Sequence, residues 1–193
     1  MHDASRSLAL PTPLNLSRYS LGGKAVAVVL GSLFLTLCSY IQVPMVPVPV
    51  TLQTFGVLLI GALYGWRLGA ITTLAWLTQA AMGLPVLAGG ANGWMAFAGP
   101  TGGYLFSHPL VAALAGWLVQ RGWNGERPGL AFLGMALASA LCLTVGASWL
   151  ALFVGVEQAV TLGVAPFVLG DLLKCALVAA TLKLIASRQR NNA

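Results

Sequence analysis

The sequence predicts an all-α integral membrane protein: six transmembrane helices, both termini cytoplasmic, and irregular outer loops that roof a ligand pocket. Three observations carry this. The first is composition: of 193 residues, 58% are hydrophobic and only 7% charged, whereas a soluble domain carries about 25% charged residues. The second is that the apolar residues gather into six runs, near the ~20 residues that a helix needs to cross a bilayer. The third is that lysine and arginine occupy alternate connections between those runs, as the positive-inside rule requires of a multi-pass chain.

The elements follow in order. Residues 1–24 are polar, with Asp3, Arg6, Arg18 and Lys24 among them. They read as a cytoplasmic tail, because a cleaved leader would place its apolar core earlier. The runs are Ala25–Ile41, Leu52–Tyr64, Leu68–Leu84, Gly103–Gln120, Leu130–Val156 and Ala165–Ala186. The second is short and abuts the third across Gly65-Trp66-Arg67, while the fifth holds no charge until Glu157. Together they make one membrane domain, 25–187, followed by a second cytoplasmic tail, 188–193.

Ten Lys and Arg residues set the orientation. Arg6, Arg18 and Lys24 precede the first run, Arg67 separates the second from the third, and Arg121 and Arg127 separate the fourth from the fifth. Lys183, Arg188 and Arg190 close the chain, and Lys174 lies inside the last run. The connections Gln42–Thr51, Pro85–Gly102 and Glu157–Val164 contain none. These three therefore face outward. The first is stiffened by Pro44, Pro47 and Pro49, which fix extended backbone and remove donors. The second is rich in glycine. Both are apolar for loops, and non-helical backbone at membrane depth persists only where protein packs on it or it lines a wet cavity. They are expected to fold inward over a pocket.

Asp171 and Lys174 supply the floor of that pocket. Three residues apart, they share one helix face. A charge at membrane depth costs about 2.5–3.5 kcal/mol on insertion scales and faces a bundle interior or polar cavity. The pair reads either as a site for a polar or anionic solute or as a self-neutralised packing lock. Gln53, flanked by Thr51 and Thr54, offers donor and acceptor to a ligand or serves as interhelical glue. Asn92, among glycines, is a ligand contact or a left-handed turn residue. Trp94, Phe97 and Tyr104 are ring-stacking candidates or interface anchors. His108, before Pro109, reads as a packing donor near a kink rather than a proton relay. Gly23, Ala27 and Gly31 recur every four residues, a small-residue strip for internal packing or for docking a partner helix.

Several function classes drop out. The net charge of +6 is scattered between apolar runs and forms no nucleic-acid patch. Cys38, Cys142 and Cys175 show no C-x-x-C spacing, which speaks against a metal site or disulfide framework. No G-x-x-x-x-G-K-[ST] is present for ATP. Gly146-Ala-Ser-Trp lacks the second glycine of a nucleophile elbow, and a single buried aspartate cannot assemble a catalytic metal cluster. Neither an enzyme nor a bound cofactor is expected.

Four stretches then carry a resemblance: Val48-Pro-Val-Thr-Leu-Gln-Thr-Phe-Gly-Val-Leu-Leu-Ile-Gly, Gly83-Leu-Pro-Val-Leu-Ala-Gly-Gly, Gly99-Pro-Thr-Gly-Gly-Tyr and Pro166-Phe-Val-Leu-Gly-Asp-Leu-Leu-Lys. In this order, over roughly residues 20 to 187, the chain resembles the BioY family, the biotin-specific S components of energy-coupling factor (ECF) transporters. The second loop departs from the family's glycine-rich run at Ala91-Asn-Gly-Trp. The resemblance implies a six-helix domain with a vitamin pocket near the outer face. It places the family's Asp-x-x-Lys on Asp171 and Lys174, its Thr-x-Gln on Thr51 and Gln53, and the end of its Gly-Pro-Thr-Gly-Gly-Tyr on Tyr104. In such a site an aspartate accepts from the N–H groups of biotin, a lysine neutralises its carboxylate and an amide suits its carbonyl. The implied partners are a transmembrane coupling (T) subunit and two ATP-binding subunits in a bacterial inner membrane. Ala27 and Gly31 are the counterparts of the residues that dock the coupling subunit. A solitary carrier, an intramembrane enzyme using His108 or Asp171, and a structural or assembly protein whose Asp171–Lys174 pair only locks packing are the rival readings; self-association as a homo-oligomer is a further partner expectation.

Overall fold

The computed structural model describes residues 13–14, 16 and 19–191. Asp3, Arg6 and Arg18 of the N-terminal tail, and residues 192–193 of the C-terminal one, lie outside the described residues. Each apolar run of the sequence coincides with one helix: α1 (Leu21–Tyr40), α2 (Gln53–Tyr64), α3 (Trp66–Ala81), α5 (Gly102–Gln120), α6 (Pro128–Val154) and α8 (Ala165–Asn191). Helix starts follow local chemistry. Ser20 caps α1 by accepting from Gly23 N at 3.3 Å, which satisfies an otherwise orphaned donor. Pro128 opens α6, where its missing N–H costs nothing. Gly65 adopts φ +82° between α2 and α3, a left-handed conformation that glycine takes without penalty. By length and composition α1, α5 and α6 can each cross a membrane, and a bent pair adds a fourth span. That pair is α7 (Val156–Gly163) with α8, at 40°. At 12 and 16 residues, α2 and α3 are shorter.

The connections are more ordered than the sequence suggests. Residues 42–51 form a two-stranded antiparallel ladder, β1 (Gln42–Val43) with β2 (Val50–Thr51), in which Gln42 faces Thr51. The glycine-rich segment contains a 3-10 turn, Ala88–Gly90, and the short helix α4, Gly93–Ala98. The stretch expected as a third loop is helix α7, which buries Ala159 and Gly163 and leaves Glu157 exposed near its N-terminus, where a carboxylate suits the helix dipole. Segments this short carry too few turns for apolar periodicity to register.

Helix α5 runs through the centre, with 12 of its 19 residues buried. Its neighbours approach closely through small residues. A Cβ on Gly61 of α2 would strike the Ala112 carbonyl of α5, so only glycine permits this backbone-to-backbone contact. Trp76, Leu58, Met135 and Leu182 fill the remaining interior. Val26, Leu33 and Leu37 of α1, with Leu173 and Leu184 of α8, point outward, the inverse of a water-soluble surface.

Charge segregates along the bundle. Trp66 N lies 3.5 Å from Gln120 Oε1, and Gly125 packs on the Leu182 backbone. These contacts gather the α2–α3 turn, the α5–α6 connection and the end of α8 at one pole. Arg67 and Arg121 lie there, over the rings of Trp66 and Trp117 at 4.9 and 4.8 Å. Such cation–π pairs suit a membrane interface.

The small-residue strip on α1 packs internally at Ala27 and Gly31, the first of the two uses expected of Gly23, Ala27 and Gly31. Ala27 and Gly31 are buried against α2 and α3. Tyr64 Oη donates to Ala27 O at 3.0 Å. A Cβ on Gly31 would sit 2.6 Å from Thr72 Cγ2 and 3.1 Å from the Tyr64 ring. The nearest atoms to Gly23 are those of Tyr19. At Ala27 and Gly31 the strip lets α1 settle into the bundle. Gly31→Val is therefore expected to destabilise the protein by about 1–3 kcal/mol through overpacking. Thermal unfolding in detergent checks this, and a wild-type midpoint would refute the internal role.

Candidate ligand-binding site

Three aromatic side chains pin the long connection above the helices. Tyr40 Oη donates to Pro85 O at 2.6 Å, Trp76 Nε1 to Val86 O at 3.1 Å and Trp149 Nε1 to Gly99 O at 2.9 Å. Beneath it lies a cavity of about 260 Å³. Val48 and Pro49 enter from the first connection, and Leu87, Ala88, Ala91 and Ala96 from the second. Gln53, His108, Asp171 and Lys174 line it from the helices. The two connections and the charged pair thus bound one space.

Lys174 Nζ donates to Asp171 Oδ1 at 2.8 Å, and Ser139 Oγ of α6 donates to Asp171 Oδ2 at 2.6 Å. The two charged residues are 7% and 5% exposed. Both oxygens of the aspartate are engaged, while the ammonium, with three N–H groups, spends one. Asp171 therefore aims and neutralises Lys174, and Lys174 keeps donors for something else. Ser139 escaped the sequence reading: a serine in an apolar helix commonly back-bonds its own turn, and nothing local marks it as a partner of a residue 32 positions away.

The neighbouring amide is committed too. Gln53 Nε2 donates to Ser39 Oγ at 3.1 Å, and Gln53 Oε1 accepts from Thr51 Oγ1 at 3.3 Å. Thr51 Oγ1 also accepts from Gln53 N at 3.2 Å. Thr51 and Gln53 thus form a fixed polar edge of the cavity. Tyr104 presents its ring, which lies 6.3 Å from Phe167 at 27°. Its hydroxyl donates to Gly163 O at 2.7 Å. Gly146 lies against this ring so closely that any Cβ would overlap it.

Three sequence candidates fall away from the cavity. Asn92 is exposed, donates from Nδ2 to Gly90 O at 3.1 Å and does not line the space. Nor is it left-handed: its φ is −160°, and Gly90 and Gly93 take the positive φ values on either side. Glycines carry the turn, which leaves Asn92 extended and turned outward. Trp94 is 73% exposed, and Phe97, itself on α4, is buried against Phe106. His108, read from sequence as a packing residue, lines the cavity at 2% exposure, its ring 5.9 Å from Trp76. The general rule that an ionisable group at membrane depth is functional by default would have found it.

Apolar walls with a few converging polar groups are the usual form of a small-molecule site. Here they sit within a bundle whose helices turn leucine and valine outward. The class is a membrane-embedded small-molecule-binding protein. The chain belongs to the BioY family, whose family model matches residues 14–191. It is 38% identical to the probable biotin transporter BioY of Pyrococcus horikoshii, over 88% of this chain and 99% of that one. It is 37% identical to the biotin transporter BioY of Rhizobium etli, over 74% and 79%. Its fold matches the crystal structure of the S-component for biotin from an ECF-type ABC transporter with a TM-score of 0.75, covering 88% of this chain and 95% of that one at 24% identity. The family is one of transporters rather than enzymes.

Proposed function

We propose that this chain is the biotin-capturing subunit of a vitamin uptake system. Lys174 carries the reading: a buried ammonium, neutralised and aimed by Asp171, keeps free donors at the floor of a cavity roofed by two pinned loops. Family membership supplies the cargo, since the relatives are named as biotin transporters. Biotin combines an apolar bicycle, a ureido group and a carboxylate tail. The Tyr104–Phe167 wall suits the bicycle, and Thr51 and Gln53 hold the polar edge. The Asp171–Lys174 pair is already neutral, so a carboxylate placed beside it would leave a net negative charge among apolar walls, which is costly. The uncharged ureido group therefore goes to the floor and the carboxylate toward the mouth.

In this reading the chain crosses a bacterial inner membrane six times with both termini cytoplasmic. Support comes from the basic pole and from the charge-free connections over the cavity, which then faces outward. A coupling T subunit and two ATP-binding subunits then drive inward release, as the resemblance to ECF S components implies. Mass spectrometry of protein purified in detergent should find biotin bound; a preparation that neither retains nor rebinds biotin would refute the proposal. Burial of Ala27 and Gly31 favours a second reading, a solitary carrier, because it occupies the strip expected to dock a coupling subunit. Biotin uptake by cells lacking the coupling subunits decides between them.

A further inference from the structure

Hydrogen-bond accounting in the cavity leaves one side chain unexplained. Thr51, Gln53, Tyr104 and Asp171 are all bonded to protein groups. His108 is different. Its Nδ1 is buried and has no hydrogen-bond partner among the described residues, although the ring lines the cavity. A buried polar atom left unpaired lowers stability, and native structures keep such atoms where function requires them.

The helix register places His108 beside the charged pair. Helices α5 and α8 run parallel, since Tyr104 near the start of α5 stacks on Phe167 near the start of α8, and Gly125, just beyond the end of α5, meets Leu182 in the second half of α8. Tyr104 and Phe167 are level, because their rings stack. One turn further along each helix come His108 and Asp171.

We propose that His108 is a specificity-determining ligand contact, whose imidazole hydrogen-bonds the uncharged ureido head of the vitamin and completes its pairing only when ligand is bound. This deepens, and rests on, the biotin reading of the cavity. A neutral imidazole offers one donor and one acceptor, and a ureido group offers both in return. A half-turn about χ2 exchanges Nδ1 with Cδ2 and Nε2 with Cε1 without moving the ring plane. The imidazole can thus present a nitrogen to the ligand while it keeps its packing on Trp76.

His108→Phe retains an aromatic ring against Trp76 and removes both nitrogens; His108→Leu gives the same readouts if the phenyl ring is too wide. Titration calorimetry with biotin and with neutral biotin amide, alongside thermal unfolding of the ligand-free protein, tests the assignment. Affinity should fall about tenfold for both ligands, one hydrogen bond's worth, while ligand-free stability stays level or rises. Unchanged biotin affinity overturns the proposal. A loss of affinity accompanied by lower ligand-free stability also overturns it, because it marks a packing role. A loss confined to biotin overturns it too, since His108 would then contact the carboxylate. Wild-type protein that binds no biotin instead brings down the biotin reading itself.

Discussion

Lys174→Met should lower biotin affinity by at least about 100-fold, the value of one or two charge-assisted hydrogen bonds. It should also destabilise the ligand-free protein by about 3–5 kcal/mol, because it strands a buried carboxylate. Asp171 would keep Ser139 at 2.6 Å but lose its counter-ion at 2.8 Å. The informative variant is the double one, Asp171→Asn with Lys174→Met. With both charges gone, no ion is left unpaired and most of the stability should return, since neutral groups often replace a buried ion pair at little cost. Binding should not return, because no ammonium remains to donate. Calorimetry and thermal unfolding on the three proteins separate the two roles of the pair. Wild-type biotin affinity in the double variant would reduce the pair to a packing lock.

Gly146→Ala is expected to weaken biotin binding by about 10–100-fold and to destabilise the protein by about 1–3 kcal/mol, the range for overpacking a close-packed interior. The added methyl overlaps the Tyr104 ring. That ring cannot step aside freely: Gly163 O holds its hydroxyl at 2.7 Å, and Phe167 stacks on its face. The cavity wall must shift instead. Gly129→Ala, on the same helix, is the control. A Cβ there meets nothing within 4 Å, so stability should hold or rise slightly with the better helix former. Equal behaviour of the two variants in calorimetry and unfolding would show that Tyr104 is not a fixed wall.

How far the site was legible depended on the range of each interaction. Asp171 and Lys174 stood out because their cost is local: two charges in one apolar run demand an explanation wherever that run sits. Thr51 and Gln53 announced themselves as polar groups at a helix start, and the structure joins them at 3.3 Å. Ser139 had no such signal, because its meaning lies in a carboxylate on another helix. Asn92 misled because glycine neighbours suggest a turn without saying which residue takes the positive φ, and the adjacent glycines took it. His108 was read as a packing residue, and the structure sets its ring both against Trp76 and at the cavity wall.

By itself the sequence determined the apolar segments, the alternation of basic residues and the helix face shared by Asp171 and Lys174. These depend on transfer free energies and helical periodicity, which act residue by residue along the chain. Only the tertiary structure decided that Ala27 and Gly31 face inward, that Ser139 holds Asp171, that Asn92 turns away from the cavity and that His108 lines it unpaired. Each of these is a contact between segments distant in sequence or a choice among nearly equal local conformations, and packing, which joins all the helices at once, is what selects among them.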